Sequence, residues 1–324
     1  MTSSLSDVAN SLAGGKALRG PGPETLTRDQ ADRVALYLRI GLGTVFVIGG
    51  WWKLSRLISP ERAGDLVARY TAPNGYINAF FQDYLFDGGM LSPWMFLTAL
   101  SAFELIAGLA LILGLFVRPL AILFGLMMWS FVAALPVLTT PGLRSEASTY
   151  LTPAMIVQIR DIGLSGICFV LAMMGSGRWS LDSRLMNRGA PSQFLGWGTN
   201  GLLLRLSVAV VFLAGGAFHG LDHVKSWSGV PLLLIAIGVV LASGHAVRLA
   251  AFGALAVLAV YCIGAMSFDR SLWDNLNAVK REAAFVAASF LLIYFSGGRA
   301  FRLGELLKAP KDLLFGERQE VTQT

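Results

Sequence analysis

Charge is what this sequence has least of. Of 324 residues, 14% are Asp, Glu, Lys or Arg and 55% are hydrophobic, where a soluble domain carries about 25% charge. That shortage excludes an ordinary water-soluble globule. Cysteine is nearly missing. Cys168 and Cys262 lie in apolar runs without CxxC or paired spacing, which excludes a disulfide framework and suits buried thiols packing as small hydrophobes. Histidine is almost as rare, with three in the chain. His219 and His223 in "AFHGLDHVKS" stand at i and i+4 and form a thin metal- or haem-ligand pair, because Gly220 stands where HExxH has Glu. Ordinary interfacial histidines are the plainer reading. No P-loop, dinucleotide fingerprint or Ser-His-Asp arrangement is present, and nothing points to nucleic acid.

What the chain does have is long uncharged runs: 119–143, 162–177, 226–247, 249–268 and 283–298. About 20 apolar residues suffice for a helix to cross the hydrocarbon core, and backbone groups in lipid must be satisfied within the segment, which favours helices. The expectation is an all-α integral membrane protein in contact with the bilayer. Its eight transmembrane helices fall near 34–52, 95–116, 119–138, 157–175, 202–221, 228–245, 249–267 and 283–297. Residues 1–33 are polar, with no signal-peptide pattern, and are expected to form a disordered cytoplasmic tail. Residues 304–324 form a second tail.

A polar stretch at 186–201 divides the spans into two units, 34–185 and 202–303, and the units align. "LRIGLGTVFVIGGWWK" from Leu38 lies over "LRLSVAVVFLAGGAFH" from Leu204, so Arg39 matches Arg205 and Lys53 falls on His219. "GLFVR" ending at Arg118 lies over "GHAVR" ending at Arg248, and "IRD" from Ile159 over "KRE" from Lys280. An even number of spans per unit makes the two four-helix repeats parallel. Basic residues are denser on the face holding both termini, which puts the termini in the cytoplasm of a cell inner (plasma) membrane. Loop 53–94 then faces outward. It has no counterpart in the second unit, and "GYINAFFQDYLFDGG" spaces Tyr76, Phe80, Phe81 and Tyr84 as an interfacial helix, a surface cover or a lid.

Glu104 is the most informative residue, a carboxylate about two turns inside the second span where the other unit has Leu234. An intramembrane charge is costly and faces an interior partner or a functional cavity. Pairing with Arg39 or Arg160 is one reading; proton transfer or ligand binding is the other. Arg160 and Asp161 are neighbours on a helix and point about 100° apart, so one faces the interior while the other caps the helix or meets solvent. Asp161 is a candidate proton-handling group beside Glu104. Arg160, Lys53 and Arg69 form a candidate outer basic group for a small dianion, with Arg160 suited to oxyanions. Headgroup snorkelling is the alternative for Lys53.

The segments "LRIGLGTVFVIGGWWK", "ELIAGLALILGLFVRP" and "GSGRWSLD", with the insert "YTAPNGYINAFFQDYLF", resemble the DoxX/DoxD family over roughly residues 34–185. The insert moves the resemblance towards the DoxD branch, the large membrane subunit of thiosulfate:quinone oxidoreductase. That resemblance implies four-helix membrane units, membrane quinone as electron acceptor, thiosulfate as donor and a small DoxA-like partner subunit. It carries no catalytic motif over to particular residues. A non-catalytic scaffold for soluble redox proteins and a small-anion transporter are the alternatives.

Overall fold

A computed structural model describes residues 22–73, 75–135, 154–186, 196–217, 231–298 and 300–301. Among these residues the chain is helical, without strands: α1 Arg28–Leu57, α2 Pro60–Thr71, α3 Ala79–Phe86, α4 Pro93–Leu113, α5 Val117–Ala134, α6 Ala154–Met174, α7 Leu181–Met186, α8 Trp197–Ala217, α9 Pro231–Ser243, α10 Val247–Ala265, α11 Leu272–Val279 and α12 Glu282–Phe295. Six of them (α1, α4, α5, α6, α8 and α10) are long and apolar enough to cross a membrane. The chain is a multi-pass membrane protein. Two apolar helices at expected spans are shorter, α9 with 13 residues and α12 with 14. At 1.5 Å per residue each covers about 20 Å, short of a hydrocarbon core of about 30 Å.

Two sequence boundaries shift. Helix α1 begins inside the supposed disordered tail, because Thr27 and Gln30 form a reciprocal capping box, with Gln30 N–H donating to Thr27 Oγ1 and Thr27 N–H to Gln30 Oε1. Buried Asp32 then accepts from the Arg178 backbone N–H at 2.9 Å, tying this first turn to the chain beyond α6. Helix α8 likewise begins inside the expected 186–201 linker. Trp197 is buried there and donates its indole N–H to Phe295 O at 3.0 Å.

The helices pack pairwise, α1 on α4 and α5 on α6 in the first half, α8 on α9 and α10 on α12 in the second. Across the halves, α6 packs on α8 and α12 on α1. Between lipid-exposed helices no hydrophobic effect drives association, so close backbone approach carries the packing. Gly50 on α1 faces Leu105 N and Ser101 O of α4, where an added Cβ would sit at 2.6 and 2.7 Å. Gly216 on α8 faces Pro231 O and Ile235 of α9 in the same way. Gly108 lies against Val47, and Gly238 against Leu213. The α4–α5 corner turns through Gly114 (φ 77°) and the α9–α10 corner through Gly244 (φ 75°), left-handed positions that favour glycine. Each glycine backs onto an arginine, Arg39 and Arg205 respectively. Arg39 donates to Trp179 O at 2.7 Å, and Arg205 to Gly297 O and Ala300 O at 3.1 and 2.8 Å.

Helices α2 and α3 fold back over one end of the bundle as a lid. They have a small core of their own, Leu57, Leu66, Ile77 and Leu97, with Trp52, Tyr70, Phe81, Phe86 and Phe96 around it. Asn78 is the hinge pin. Its side chain caps α3 by accepting from Phe81 N–H, while its backbone and side-chain N–H groups donate to Ala134 O and Ala133 O at 2.8 and 2.9 Å. The orphan carbonyls at the end of α5 are thereby satisfied from the lid.

Gly50→Val should sharply lower the yield and melting temperature of detergent-purified protein, because backbone atoms of α4 leave no room. Gly64→Ala on α2, where nothing lies within 4 Å, should be neutral or stabilising by up to ~1 kcal/mol. Size-exclusion profiles and thermal melts of the two variants check this.

Candidate functional site

Beneath the lid lies a cavity of about 330 Å³. Its walls are apolar: Val45 and Phe46 of α1, Leu97 and Leu100 of α4, Met128 and Phe131 of α5, Leu164 of α6 and Phe81 of the lid. Tyr84 and Ser130 line it while remaining exposed, and so mark its mouth between the lid and α5. The polar lining residues, Lys53, Glu104, Asp161, Lys280, Arg281, Tyr70 and Tyr76, lie close enough to interact electrostatically and form its polar end.

Glu104 does not pair with Arg39 or Arg160. Its partner is Lys53, whose Nζ lies 2.7 and 2.6 Å from the two carboxylate oxygens. Ser101, one turn before Glu104, turns its hydroxyl back to Leu97 O at 2.6 Å, and Gly50, one turn before Lys53, lets α1 and α4 approach. Lys53 is 8% exposed and Glu104 4%, so headgroup snorkelling does not apply to Lys53. Its neighbour Arg56 does reach the surface region, stacking on Trp52 at 3.9 Å and pairing with Asp274 at 2.8 Å.

Arg160 and Asp161 diverge as adjacent helical residues must, yet both are buried. Asp161 points into the cavity and accepts from Arg281 Nε at 3.1 Å. Arg160 points the other way, lies over the Tyr261 ring of α10 at 5.5 Å and pairs with Glu282 at 2.6 Å. The two Arg-acid dipeptides thus exchange partners: the arginine of each half meets the acid of the other. Neither Asp161 nor Arg160 caps a helix in solvent.

The expected trio of Lys53, Arg69 and Arg160 does not assemble. Arg69 is exposed on α2, and Arg160 is turned towards Glu282, so among these three only Lys53 lines the cavity. Two cations that sequence reading passed over take their place, Lys280 and Arg281, from the turn between α11 and α12. Both keep right-handed helical dihedrals (φ −59°, ψ −40° and φ −67°, ψ −31°). The rod from α11 to α12 therefore loses hydrogen-bond regularity there without changing direction abruptly. "KRE" over "IRD" was the available signal, since Lys280 is the one member of that triplet with an apolar counterpart, Ile159. His219 and His223 lie outside the described residues. Among the described residues no cluster of three metal-ligating side chains occurs.

Tyr70 and Tyr76 stay protonated. Burial raises Tyr70, and burial with the neighbouring Tyr70 pushes Tyr76 up to about 12. Both hydroxyls remain hydrogen-bond donors throughout the physiological range.

Glu282→Gln should destabilise the protein by about 3–5 kcal/mol, because it removes the carboxylate facing a buried guanidinium. Arg160→Met combined with Glu282→Leu should recover most of that loss. Thermal or denaturant unfolding in detergent reads both.

The comparisons with known proteins bear on the first half. No curated protein and no solved structure matches the chain. Residues 34–137 match the family model described as DoxX, and that stretch carries α1, the lid, α4 and α5. The resemblance to the DoxX family is therefore supported for the segment that supplies Lys53, Glu104, Tyr70 and Tyr76.

Proposed function

We propose that this chain is the membrane subunit of a quinone-linked oxidoreductase that takes electrons from thiosulfate, or a related small sulfur compound, and passes them to membrane quinone held in the lidded cavity. It would do so as eight spans in two parallel four-helix repeats, in the inner (plasma) membrane with both termini cytoplasmic. The cavity itself carries the reading: apolar walls that end in paired ions and tyrosine hydroxyls. A quinone has that polarity, a flat head with two carbonyl acceptors on a hydrocarbon tail.

The mouth beside Tyr84 and Ser130 adds support, because α4 and α5 are among the least buried candidate spans and a lipid-soluble ligand would enter between them and the lid. Tyr70 and Tyr76 would donate to a carbonyl. Glu104 and Asp161, ionised beside their cations, would relay protons, each taking one up before passing it to the quinone. The reaction balances as follows. Two thiosulfates lose one electron each and join through a new S–S bond as tetrathionate, while quinone takes both electrons and two protons to become quinol.

One observation favours a second reading, a membrane scaffold for a soluble redox protein or a DoxA-like partner. Phe80, Tyr84 and Met90 on the lid are 71%, 79% and 90% exposed, a face that a partner would cover. The two readings differ in what the cavity is for.

Purified protein in detergent should reduce a soluble quinone analogue when thiosulfate is added. Leu100→Trp, which fills the cavity, and Glu104→Gln should each cut that rate at least about tenfold, the size of one lost transition-state contact. Quinone-analogue binding that survives Leu100→Trp unchanged would overturn the cavity assignment. Partner capture from native membranes that is indifferent to Leu100→Trp, with no turnover by either form, would favour the scaffold.

A further inference from the structure

The charges at the polar end of the cavity do not cancel. Lys53 is offset by Glu104 at 2.6 Å and Arg281 by Asp161 at 3.1 Å. Lys280 has no such partner: among the described residues its Nζ donates to a neutral group, Asn277 Oδ1, at 2.6 Å. An ammonium has three donors, so two remain for whatever enters. Its side chain crosses α1 at Gly49, where an added Cβ would sit 3.2 Å from Nζ. Glycine at that place is what lets a lysine of the second half reach a cavity walled by the first.

We propose that the polar end of this cavity is a subsite for a small oxyanion, with Lys280 as its principal cation, so that the second half of the chain completes a site built on the first. The subsite deepens the quinone-linked reading and rests on it only for the choice of thiosulfate as the probe. A second cation, Arg281, lines the same polar end beside Lys280. Charge-assisted bonds from such donors hold oxyanions more strongly than neutral pairs do. The carboxylates of Glu104 and Asp161 also face it, and each is already engaged by a cation. An oxyanion beside Lys280 stands at the polar end of the space proposed for the quinone head, which places donor and acceptor of electrons in one cavity.

The subsite is pH-sensitive, with a sign fixed by its surroundings. Burial, then Arg281 and Lys53, lower Lys280 to about 7, while Glu104 and Asp161 oppose that shift. Below pH 7 the group is an ammonium and attracts an anion; above it, a neutral amine does not. The two tyrosines keep their protons across this range, so Lys280 governs the change.

The test is calorimetric titration of the full-length protein in detergent with thiosulfate, and separately with a short-chain phosphatidate, at pH 6 and pH 8. Wild type should bind thiosulfate at pH 6 and roughly tenfold more weakly at pH 8, following the loss of one charge near pH 7. Lys280→Gln should lose binding at both values. Lys280→Arg, charged throughout, should bind at both and also prove the altered turn still folds. Gly49→Val, which keeps the charge but crowds Nζ, should weaken binding. Undiminished thiosulfate binding by Lys280→Gln at pH 6 overturns the subsite. Binding of phosphatidate without thiosulfate also overturns it, in favour of a lipid headgroup. A quinone analogue that fails to bind wild type, beside Lys280-dependent thiosulfate binding, would refute the quinone reading and leave the subsite standing.

Discussion

Two ion pairs exchanged between the halves, one buried on both sides and one with its arginine partly exposed, hold the rest of this molecule in register. Arg160 meets Glu282 and Arg281 meets Asp161, so the turn at the start of α12 is fixed against α6 at two points. Lipid gives helices no hydrophobic reason to associate, and a helix that slides or rotates on its neighbour loses little by packing alone. A buried charge makes rotation costly, because turning by one residue would leave a guanidinium in an apolar wall. The pairing therefore orients Asp161 and Arg281 into the cavity, and Arg281 brings Lys280 with it.

From that fixed edge the cavity follows in order. Gly50 and Gly108 bring α1 and α4 close enough for Lys53 to reach Glu104. With α6 held on the other side, the helices leave a space lined by residues of both halves. The lid closes it, and Asn78 couples the lid to α5 through hydrogen bonds to Ala133 O and Ala134 O. Each element at the site thus satisfies a polar need of its neighbour.

Much of this was legible in sequence, for reasons that can be named. The apolar runs are local, so the six helices long enough to cross a membrane fall close to expected spans, while the Thr27 cap that starts α1 early was not read. Glu104 stood out because an isolated carboxylate in an apolar run demands a partner. Its partner was misread because Lys53, at the end of a span, looks like a snorkelling residue until the α1–α4 approach through glycine is known. Arg160 invites two readings from sequence, an anion ligand or a partner of Glu104, because its actual carboxylate lies 122 positions away and no local rule connects Arg160 to Glu282. The lid's aromatics were visible as a helical pattern, yet its attachment through Asn78 to Ala133 and Ala134 is a tertiary fact.

The halves differ most where the site is. Position for position, Glu104 stands against Leu234, and Lys280 against Ile159. The first half carries the intramembrane acid and an apolar residue at the turn; the second carries an apolar residue in the span and the surplus base at the turn. Both Leu234 and Glu104 are buried, so the difference is chemical and not one of exposure. A second cavity of the same kind would need an acid at position 234, a base at 159 and a lid after α8's counterpart of Lys53. Those traits are divided between the halves, so this cavity draws its acid from the first and its surplus base from the second, and the exchanged ion pairs hold the two against each other.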